Sequence, residues 1–287
     1  MTKIVLPLII SMLLVSKPTH EWRLVDNKHW QIISDEPIKP QPIISNKCLP
    51  GMVSVSGDMK QDPGKSPWGP DTIEYLQKTT CTKWINREYP ERCAAFDRAK
   101  WISISSNFKT KPMDFCMDKF EFPNEEGQYP YIYINWYEAQ NLCAAQGKRM
   151  CTETEWTFAC EGEEATPYPT GYTRPEDECH LDKTWIPYSA RALYPRTTAG
   201  PELNRLWQGY SSGSHPECKS VFGVYDQIGN VDEWTRKDRP DGKYPSILKG
   251  GYWGPVRTRC RPSTRSHNMN HIFYQQGARC CSDPNLP

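Results

Sequence analysis

One segment near the C-terminus concentrates side chains that could recognise an anion. It reads YWGPVRTRCRPSTRSH from Tyr252 to His267 and places four arginines beside two aromatic rings. Guanidinium groups form paired hydrogen bonds with carboxylates or phosphates and stack on aromatic faces, so the segment predicts a ligand groove. Alternatively, these arginines pair with the chain's own carboxylates or stack on tryptophan. The candidate groove residues are Tyr252, Trp253, Arg257, Arg259, Arg265 and His267.

The charge balance narrows the class of ligand. The 287 residues include 35 Lys and Arg against 34 Asp and Glu, which gives a net charge of +1. Binding to nucleic acid or to an anionic membrane surface needs a basic excess that this chain does not have. We therefore expect no nucleic-acid partner, and a groove that accepts a protein, a peptide or a small anionic ligand.

The cysteines indicate an oxidising compartment. The chain has 12 of them and no Cys-x-x-Cys pair, which is the spacing typical of zinc ribbons and thioredoxin-like sites. An even number spread over more than half of the chain favours up to six disulfides, and disulfides persist outside the cytoplasm. Proximity in the sequence predicts Cys81–Cys93 and Cys179–Cys218.

The N-terminus predicts export. An apolar run from Ile4 to Val15 follows a basic start and is shorter than the roughly 20 residues that span a bilayer. We interpret residues 1–18 as a signal peptide, with an uncleaved membrane tether as the alternative. Prolines in residues 19–47 predict an extended linker. The mature protein is expected to be secreted or periplasmic, with no stable membrane span after cleavage.

Few regular elements are predicted to position the groove. Asn135 with Glu138, and Thr152 with Glu155, have the spacing of capping boxes that open helices ending near Gly147 and 162. Residues 51–59 alternate apolar and polar side chains like a strand. A short amphipathic stretch lies at 73–76, and residues 163–282 are predicted to be short strands and turns.

Six blocks in this chain resemble those of the formylglycine-generating enzyme (sulfatase-modifying factor) family, in the family's order. The resemblance covers about residues 49–282, with 58–112 as a cysteine-containing insertion in a domain over 48–283. It implies an α+β fold related to C-type lectins, with little regular secondary structure and many disulfides. The blocks are Met52–Val55, Met117–Glu121, Gly147–Trp156, Val224–Trp234, Leu248–Trp253 and Gly277–Cys280.

Two disulfides are implied by this resemblance. Cys143 matches the helix cysteine that pairs with the terminal block, which implies Cys143–Cys280. Cys160 matches the cysteine that pairs with the segment after the double glycine, which implies Cys160–Cys260. Three further cysteines compete for the remaining pairings, and Cys48 takes whichever is left. Those three are Cys116, Cys151 and Cys281.

The family's copper chemistry is not expected here. Copper-dependent members oxidise a substrate cysteine with two cysteines that follow the double glycine, because thiolates suit Cu(I). In this chain the first of those positions is Gly254, and the second is lost in a shortened stretch. Cys260 matches the structural disulfide instead.

Iron stays open without an identified site. A second branch of the superfamily, resembling ergothioneine-type sulfoxide synthases, holds iron with three histidines. The six histidines here form no such set, and His267 and His271 would share a face only in a helix. A third branch, the pyoverdine-maturation oxidases, lacks the cysteine pair but belongs to an oxidative pathway. A non-copper oxidoreductase is therefore the alternative function.

Calcium is the cofactor that the resemblance favours. Asp226 and Glu233 match the side-chain ligands of a family calcium site, with the carbonyls of Gly229 and Val231 between them. Calcium accepts such mixtures of carboxylate and carbonyl oxygens. The alternative is a tight turn in which the Asp and the Glu only cap backbone groups.

Three functional hypotheses follow from the sequence. The first is an extracytoplasmic binding or structural module, stabilised by calcium and without the copper-binding cysteines. The second is a non-copper oxidoreductase that acts in the arginine- and tryptophan-lined groove. The third is a disulfide-rich accessory subunit whose role lies in the region from Cys48 to Cys93 and in the insertion.

Overall fold

The computed structural model describes residues 20–284, apart from 27, 45, 65, 67–68 and 239–242, so the predicted signal peptide lies outside the described residues. The strands are β1 (Trp22–Val25), β2 (His29–Ile32), β3 (Met52–Lys60), β4 (Cys81–Asn86), β5 (Arg92–Phe96), β6 (Thr110–Asp118), β7 (Arg149–Met150), β8 (Asp232–Arg236), β9 (Ser246–Lys249), β10 (Ser263–Thr264), β11 (Gln276–Ala278) and β12 (Cys280–Ser282). The helices are α1 (Ile73–Lys78), α2 (Arg98–Ser105), α3 (Trp136–Ala145), α4 (Glu153–Glu161), α5 (Ala190–Leu193) and α6 (Gly200–Leu206), with a 3-10 turn at Arg196–Thr198.

Two small four-stranded sheets organise the fold. One has the order β3-β6-β12-β7 and the other β10-β9-β8-β11, and two further hairpins join β1 to β2 and β4 to β5. All pairs are antiparallel except β11 with β8. Short strands, short helices and long connections make this an α+β fold with little regular structure, as the sequence predicted.

Capping explains why the two predicted helices form where they do. The side chain of Asn135 accepts from the backbone of Glu138, whose carboxylate accepts from the Asn135 backbone N–H in return. Thr152 and Glu155 repeat this arrangement at the start of α4. Gly147 has φ of +69° just after α3, a left-handed conformation that glycine adopts readily. Both helix predictions are confirmed.

The segment predicted as an insertion leaves the first sheet at its edge. Strands β3 and β6 pair continuously from Met52 opposite Asp118 to Lys60 opposite Thr110. The chain between them carries α1, the β4–β5 hairpin and α2, and returns into β6. The strand predicted at 51–59 is thus β3, and α1 and α2 of the insertion contact the loop after α4, because Gln77 and Trp101 donate to the carbonyls of Ala165 and Glu164.

Two predictions about less regular regions were wrong. Residues 22–32 lie within the predicted linker but form the β1–β2 hairpin, and Trp30 and Ile32 are buried in the core. The indole of Trp30 packs closely against Gly200 and donates to the carbonyl of Arg196, which fixes the hairpin to the domain. The stretch predicted as strands and turns also contains α5 and α6, which are too short to show a helical period.

Six disulfides cross-link the fold, and all 12 cysteines take part. The four predicted pairings are all present, and Cys48–Cys116 and Cys151–Cys281 account for the cysteines that were left open. Among the described residues, no helix combines the length and the apolar character needed to cross a bilayer. The bridges are Cys48–Cys116, Cys81–Cys93, Cys143–Cys280, Cys151–Cys281, Cys160–Cys260 and Cys179–Cys218.

Candidate functional site

A solvent-open cleft separates the insertion from the C-terminal segment that follows the double glycine. Three adjoining cavities form it, with volumes of about 490, 340 and 240 Å³. We call the second the arginine cavity and the third the apolar cavity. The first and second share Thr72, Glu74 and Arg265, and the second and third share Tyr89, Pro90 and Arg257.

Ion pairs within the domain hold two of the predicted groove arginines at the cleft wall. Arg257 Nη2 donates to Asp232 at 3.0 Å and to the carbonyl of Leu248 at 3.0 Å. Arg265 Nη2 donates to Glu153 at the start of α4. Both side chains also line the arginine cavity. These two arginines therefore combine the predicted groove position with its alternative, pairing with the chain's own carboxylates.

Arg259 differs from these arginines in its hydrogen bonding. Its side chain is only 5% exposed, and its Nη1 has no hydrogen-bond partner among the described residues. The nearest carboxylate is that of Glu74 on α1, with 3.9 Å between Arg259 Nη2 and Glu74 Oε1. The guanidinium carbon lies 5.8 Å from the centre of the Phe96 ring. Arg259 therefore lines the arginine cavity as a largely buried cation whose nearest anionic partner is 3.9 Å away.

Aromatic side chains form the apolar cavity. Tyr89 from the β4–β5 hairpin and Trp185 are 87% and 52% exposed, respectively. They face Tyr252 and Val256 across the cavity, and Arg257 completes its lining on the side of the arginine cavity. Large exposed rings around a cavity are typical of a surface that contacts a partner.

The other two predicted groove residues do not reach the cleft. Trp253 is 1% exposed and packs in the core, with its ring centre 4.9 Å from that of Trp207. His267 stacks on His271, with 3.7 Å between the ring centres. Burial lowers the pKa of His267 to about 4, so this ring is neutral at physiological pH.

A buried lysine supports the floor of the site. Lys249 Nζ donates to the carbonyls of Cys260 at 2.8 Å and Arg261 at 2.7 Å, and it lies 5.1 Å from the centre of the Trp156 ring. Burial lowers the pKa of Lys249 to about 7. The lysine thus fixes the backbone that carries Arg259, together with the Cys160–Cys260 bridge.

The residues present do not fit a copper centre. Every cysteine is in a disulfide, so no thiolate is left to bind Cu(I). At the first copper position, a Cβ on Gly254 would lie 2.7 Å from the ring of Tyr252. A cysteine there would have to displace the tyrosine that lines the apolar cavity.

The residues predicted to bind calcium are occupied by other partners. Arg279 Nη2 donates to Glu233 Oε1 at 2.8 Å, and the indole of Trp156 donates to Glu233 Oε2 at 2.6 Å. Asp226 accepts from the Gly213 N–H at 2.7 Å, and burial raises the pKa of Asp226 to about 7. A carboxylate already neutralised by a buried guanidinium is a poor calcium ligand, so the set with Gly229 and Val231 does not fit a calcium site as placed.

A wider search for metal ligands gives the same result. Within the described part of residues 20–284, no group of three or more His, Cys, Asp or Glu side chains is arranged to hold a metal ion. Among the described residues, no Asp or Glu side chain joins the stacked rings of His267 and His271 to form a ligand set. His271 shares a hydrogen bond with Gln276. The three-ligand sets that hold nonheme iron are therefore not assembled from these residues.

Sequence reasoning missed the half of the cleft that the insertion contributes. Glu74, Tyr75, Tyr89 and Glu91 line the arginine cavity from α1 and the β4–β5 hairpin, and Trp185 comes from a loop far along the chain. No motif or spacing marks these residues.

Comparison with protein families gives a match over most of the chain. The model of the sulfatase-modifying factor enzyme 1-like domain matches residues 75–284. A mouse protein named inactive C-alpha-formylglycine-generating enzyme 2 is 29% identical over 171 residues, which are 57% of this chain and 52% of the relative. Hercynine oxygenase of Mycobacterium tuberculosis is 27% identical over 169 residues, 51% of this chain and 34% of that protein. The chain thus spans about half the length of the mouse relative, or less for the mycobacterial one.

Solved structures were compared as well. The crystal structure of CarF aligns with a TM-score of 0.49 and 12% identity, over 86% of this chain and 98% of that one. The structure of PvdO from Pseudomonas aeruginosa aligns with a TM-score of 0.46 and 16% identity, over 87% and 100% of the two chains.

Proposed function

The chain belongs to the sulfatase-modifying factor enzyme 1-like family, and we propose that it is a binding module of that family without copper-dependent oxidation chemistry. One observation carries the proposal: Gly254 stands where the copper-dependent members place a cysteine, and all 12 cysteines are committed to disulfides. A relative named as inactive, 29% identical to this chain, supports the same conclusion.

The site of binding in this proposal is the cleft beside the insertion. The cleft is lined by the arginine-rich segment that follows the double glycine, and its arginines and exposed aromatic rings suit recognition of another molecule. The insertion supplies one wall, so the specificity of the module depends on residues outside the family's sequence blocks.

The proposed place of action is outside the cytoplasm. Six disulfides support an oxidising compartment, because cytosolic thiols are kept reduced. The apolar run at the N-terminus is then the signal peptide that directs export, and residues from about 19 onwards form the mature protein. Bridges that close loops of 100 to 137 residues stabilise the exported domain.

The function is tested by comparing catalysis with a competent relative. The comparison protein is bovine formylglycine-generating enzyme, which is 25% identical to this chain over 177 residues. Both proteins are supplied with copper, oxygen and a cysteine-containing sulfatase peptide. Captured aldehyde is then measured by mass spectrometry. We expect aldehyde only with the bovine enzyme, because the chain described here has no free thiolate to bind Cu(I). Aldehyde formed by this chain above the buffer level would disprove the proposal.

A non-copper oxidoreductase is the second candidate, favoured by the similarity to hercynine oxygenase. Its test is oxygen uptake by the exported protein supplied with ferrous iron. The same sample is examined by elemental analysis for iron, copper and calcium. Stoichiometric iron together with oxygen uptake would favour this second candidate, whereas neither is expected for a binding module.

A further inference from the structure

The cleft has features that define the chemistry of its ligand. Resting on the proposed function as a binding module, we propose that it binds an extended peptide segment in which a carboxylate lies next to a large apolar side chain. Arg259 binds the carboxylate, and the apolar cavity between Tyr89 and Trp185 receives the apolar side chain.

The anion subsite follows from the weakly paired guanidinium of Arg259, which lines the arginine cavity. A buried polar group without a hydrogen bond is unfavourable, and a buried charge without a close partner is more so. Arg259 is 4% exposed, its Nη1 has no partner among the described residues, and the Glu74 carboxylate is too distant for a hydrogen bond. A ligand carboxylate in the arginine cavity would give this guanidinium the close anionic partner that Glu74 does not provide.

The backbone holds Arg259 ready for such a ligand. The neighbouring Cys260 is bridged to Cys160 on α4, and its N–H donates to the carbonyl of Pro167 at 3.0 Å. Lys249 Nζ also donates a hydrogen bond to the Cys260 carbonyl. A guanidinium fixed before binding loses less conformational entropy when the ligand arrives, which favours affinity.

The other charges of the cavity favour a single negative charge on the ligand. Arg257 is paired with Asp232, Arg265 with Glu153 and Lys78 with Glu91. Among the described residues that line this cavity, Arg259 has the longest ion-pair distance, 3.9 Å to Glu74. A carboxylate matches one weakly paired guanidinium, whereas a doubly charged phosphate would be repelled more strongly by the Glu74 carboxylate in the same space.

The apolar subsite adjoins the anion subsite. Arg257 and Tyr89 line both cavities, so a side chain next to the bound carboxylate can enter the apolar cavity of about 240 Å³. The cleft continues past the arginine cavity into a third space of about 490 Å³. This elongated and open shape suits an extended peptide rather than a compact small molecule.

Four blocked tetrapeptide amides test this inference by calorimetry on the full exported chain. Each has glycine at both ends, and the central pairs are Asp-Phe, Asn-Phe, Asp-Ala and Asn-Ala. We expect the Asp-Phe peptide to bind about tenfold more tightly than the Asn-Phe peptide, because one charge-assisted hydrogen bond to Arg259 is lost in the latter. Replacement of Phe by Ala should weaken binding by a similar factor.

Two variants and one matched control locate the effect. Arg259→Met should abolish the preference for Asp-Phe over Asn-Phe, whereas Arg191→Met, an exposed arginine on α5, should leave it unchanged. Glu74→Gln should tighten binding of the Asp-Phe peptide by removing the competing carboxylate. This second variant keeps the test decisive if Arg259→Met does not fold.

Three results with a peptide that binds would overturn the inference. These are equal affinity for the Asp-Phe and Asn-Phe peptides, no tightening in Glu74→Gln, or inorganic phosphate binding more tightly than the Asp-Phe peptide. Absence of peptide binding also overturns it, while the proposed function is judged separately by the aldehyde assay. Aldehyde formation together with Asp-Phe selectivity would refute the proposed function and leave the ligand class intact.

Discussion

Two buried arginines in this molecule have opposite surroundings. Arg279, after β11, is 0% exposed and donates to both oxygens of Glu233 and to the carbonyl of Tyr225. Arg259, at the cleft, is 4% exposed, yet its Nη1 has no partner among the described residues and Glu74 is 3.9 Å away. Both guanidinium groups were removed from water, but only the first was fully compensated.

This difference separates an arginine that holds the fold together from the arginine that we propose binds a ligand. Around Arg279 the terminal strand, the β8 strand and the chain near Asp118 are joined through one charge, whose hydrogen bonds are all internal. Arg259 lines a cavity, and the nearest carboxylate, that of Glu74, is 3.9 Å from its guanidinium. Incomplete satisfaction of a buried charge is therefore a sign of a binding site where a cavity adjoins it.

Removal of the compensated arginine should have the largest effect on stability. We expect Arg279→Met to lower the free energy of unfolding by about 3–5 kcal/mol, because Glu233 would remain buried without its cation. Urea denaturation at neutral pH measures the change. The loss should be the same with added calcium and with EDTA, since Arg279 donates to both carboxylate oxygens of Glu233.

The double variant Arg279→Met with Glu233→Gln serves as the control. It should lose less stability than Arg279→Met alone, because the amide of Gln carries no charge that would remain buried without a partner. A wild-type protein whose unfolding midpoint rises with calcium, and whose response disappears in Asp226→Ala with Glu233→Ala, would instead establish the calcium site expected from the sequence.

The carboxylates around Arg279 should make stability depend on pH. Burial, with the nearby Asp226 carboxylate, raises the pKa of Glu121 to about 8. The folded state therefore binds a proton that the unfolded state releases near pH 4.5. The stabilisation is fully present below that pH and is lost as pH rises towards 8, with a slope of at most about 1.4 kcal/mol per unit.

Glu121→Gln isolates this titration. The amide keeps the shape of the protonated acid beside Ser212 and Asn230, so the variant should lack the slope that Glu121 contributes. The measurement is the difference in unfolding free energy between wild type and variant from pH 5 to 8. A difference that is constant over this range would show that Glu121 is ionised in the folded state.

Features of the fold that depend on local spacing or on the family's sequence blocks could be predicted from the sequence. The capping boxes at Asn135 and Thr152 lie within four residues of their partners, and both helices form as predicted. The family and the α+β fold followed from blocks in a recognisable order. The error in the linker prediction shows the limit of reasoning from local sequence. Trp30 is buried against residues about 100 and 170 positions away in the chain.

The candidate site was accessible only in part, for the same physical reason. The arginines of the groove segment are visible in the sequence, but their partners are remote: Asp232 for Arg257 and Glu153 for Arg265. Whether a guanidinium is compensated is decided by such long-range contacts. The role of Arg259 and the misplacement of Trp253 in the groove could not be derived from spacing alone.

The smallest expected effect on stability, that of replacing Arg259, gives the sharpest test of the contrast between Arg259 and Arg279. Arg259→Met should change the free energy of unfolding by no more than about 1 kcal/mol, because the thioether chain keeps the packing against Phe96 and removes an unpaired donor. Urea denaturation in parallel with Arg279→Met gives the contrast under identical conditions. A loss of several kcal/mol in Arg259→Met would show that this arginine supports the fold like Arg279, and the cleft would then have no charge reserved for a ligand.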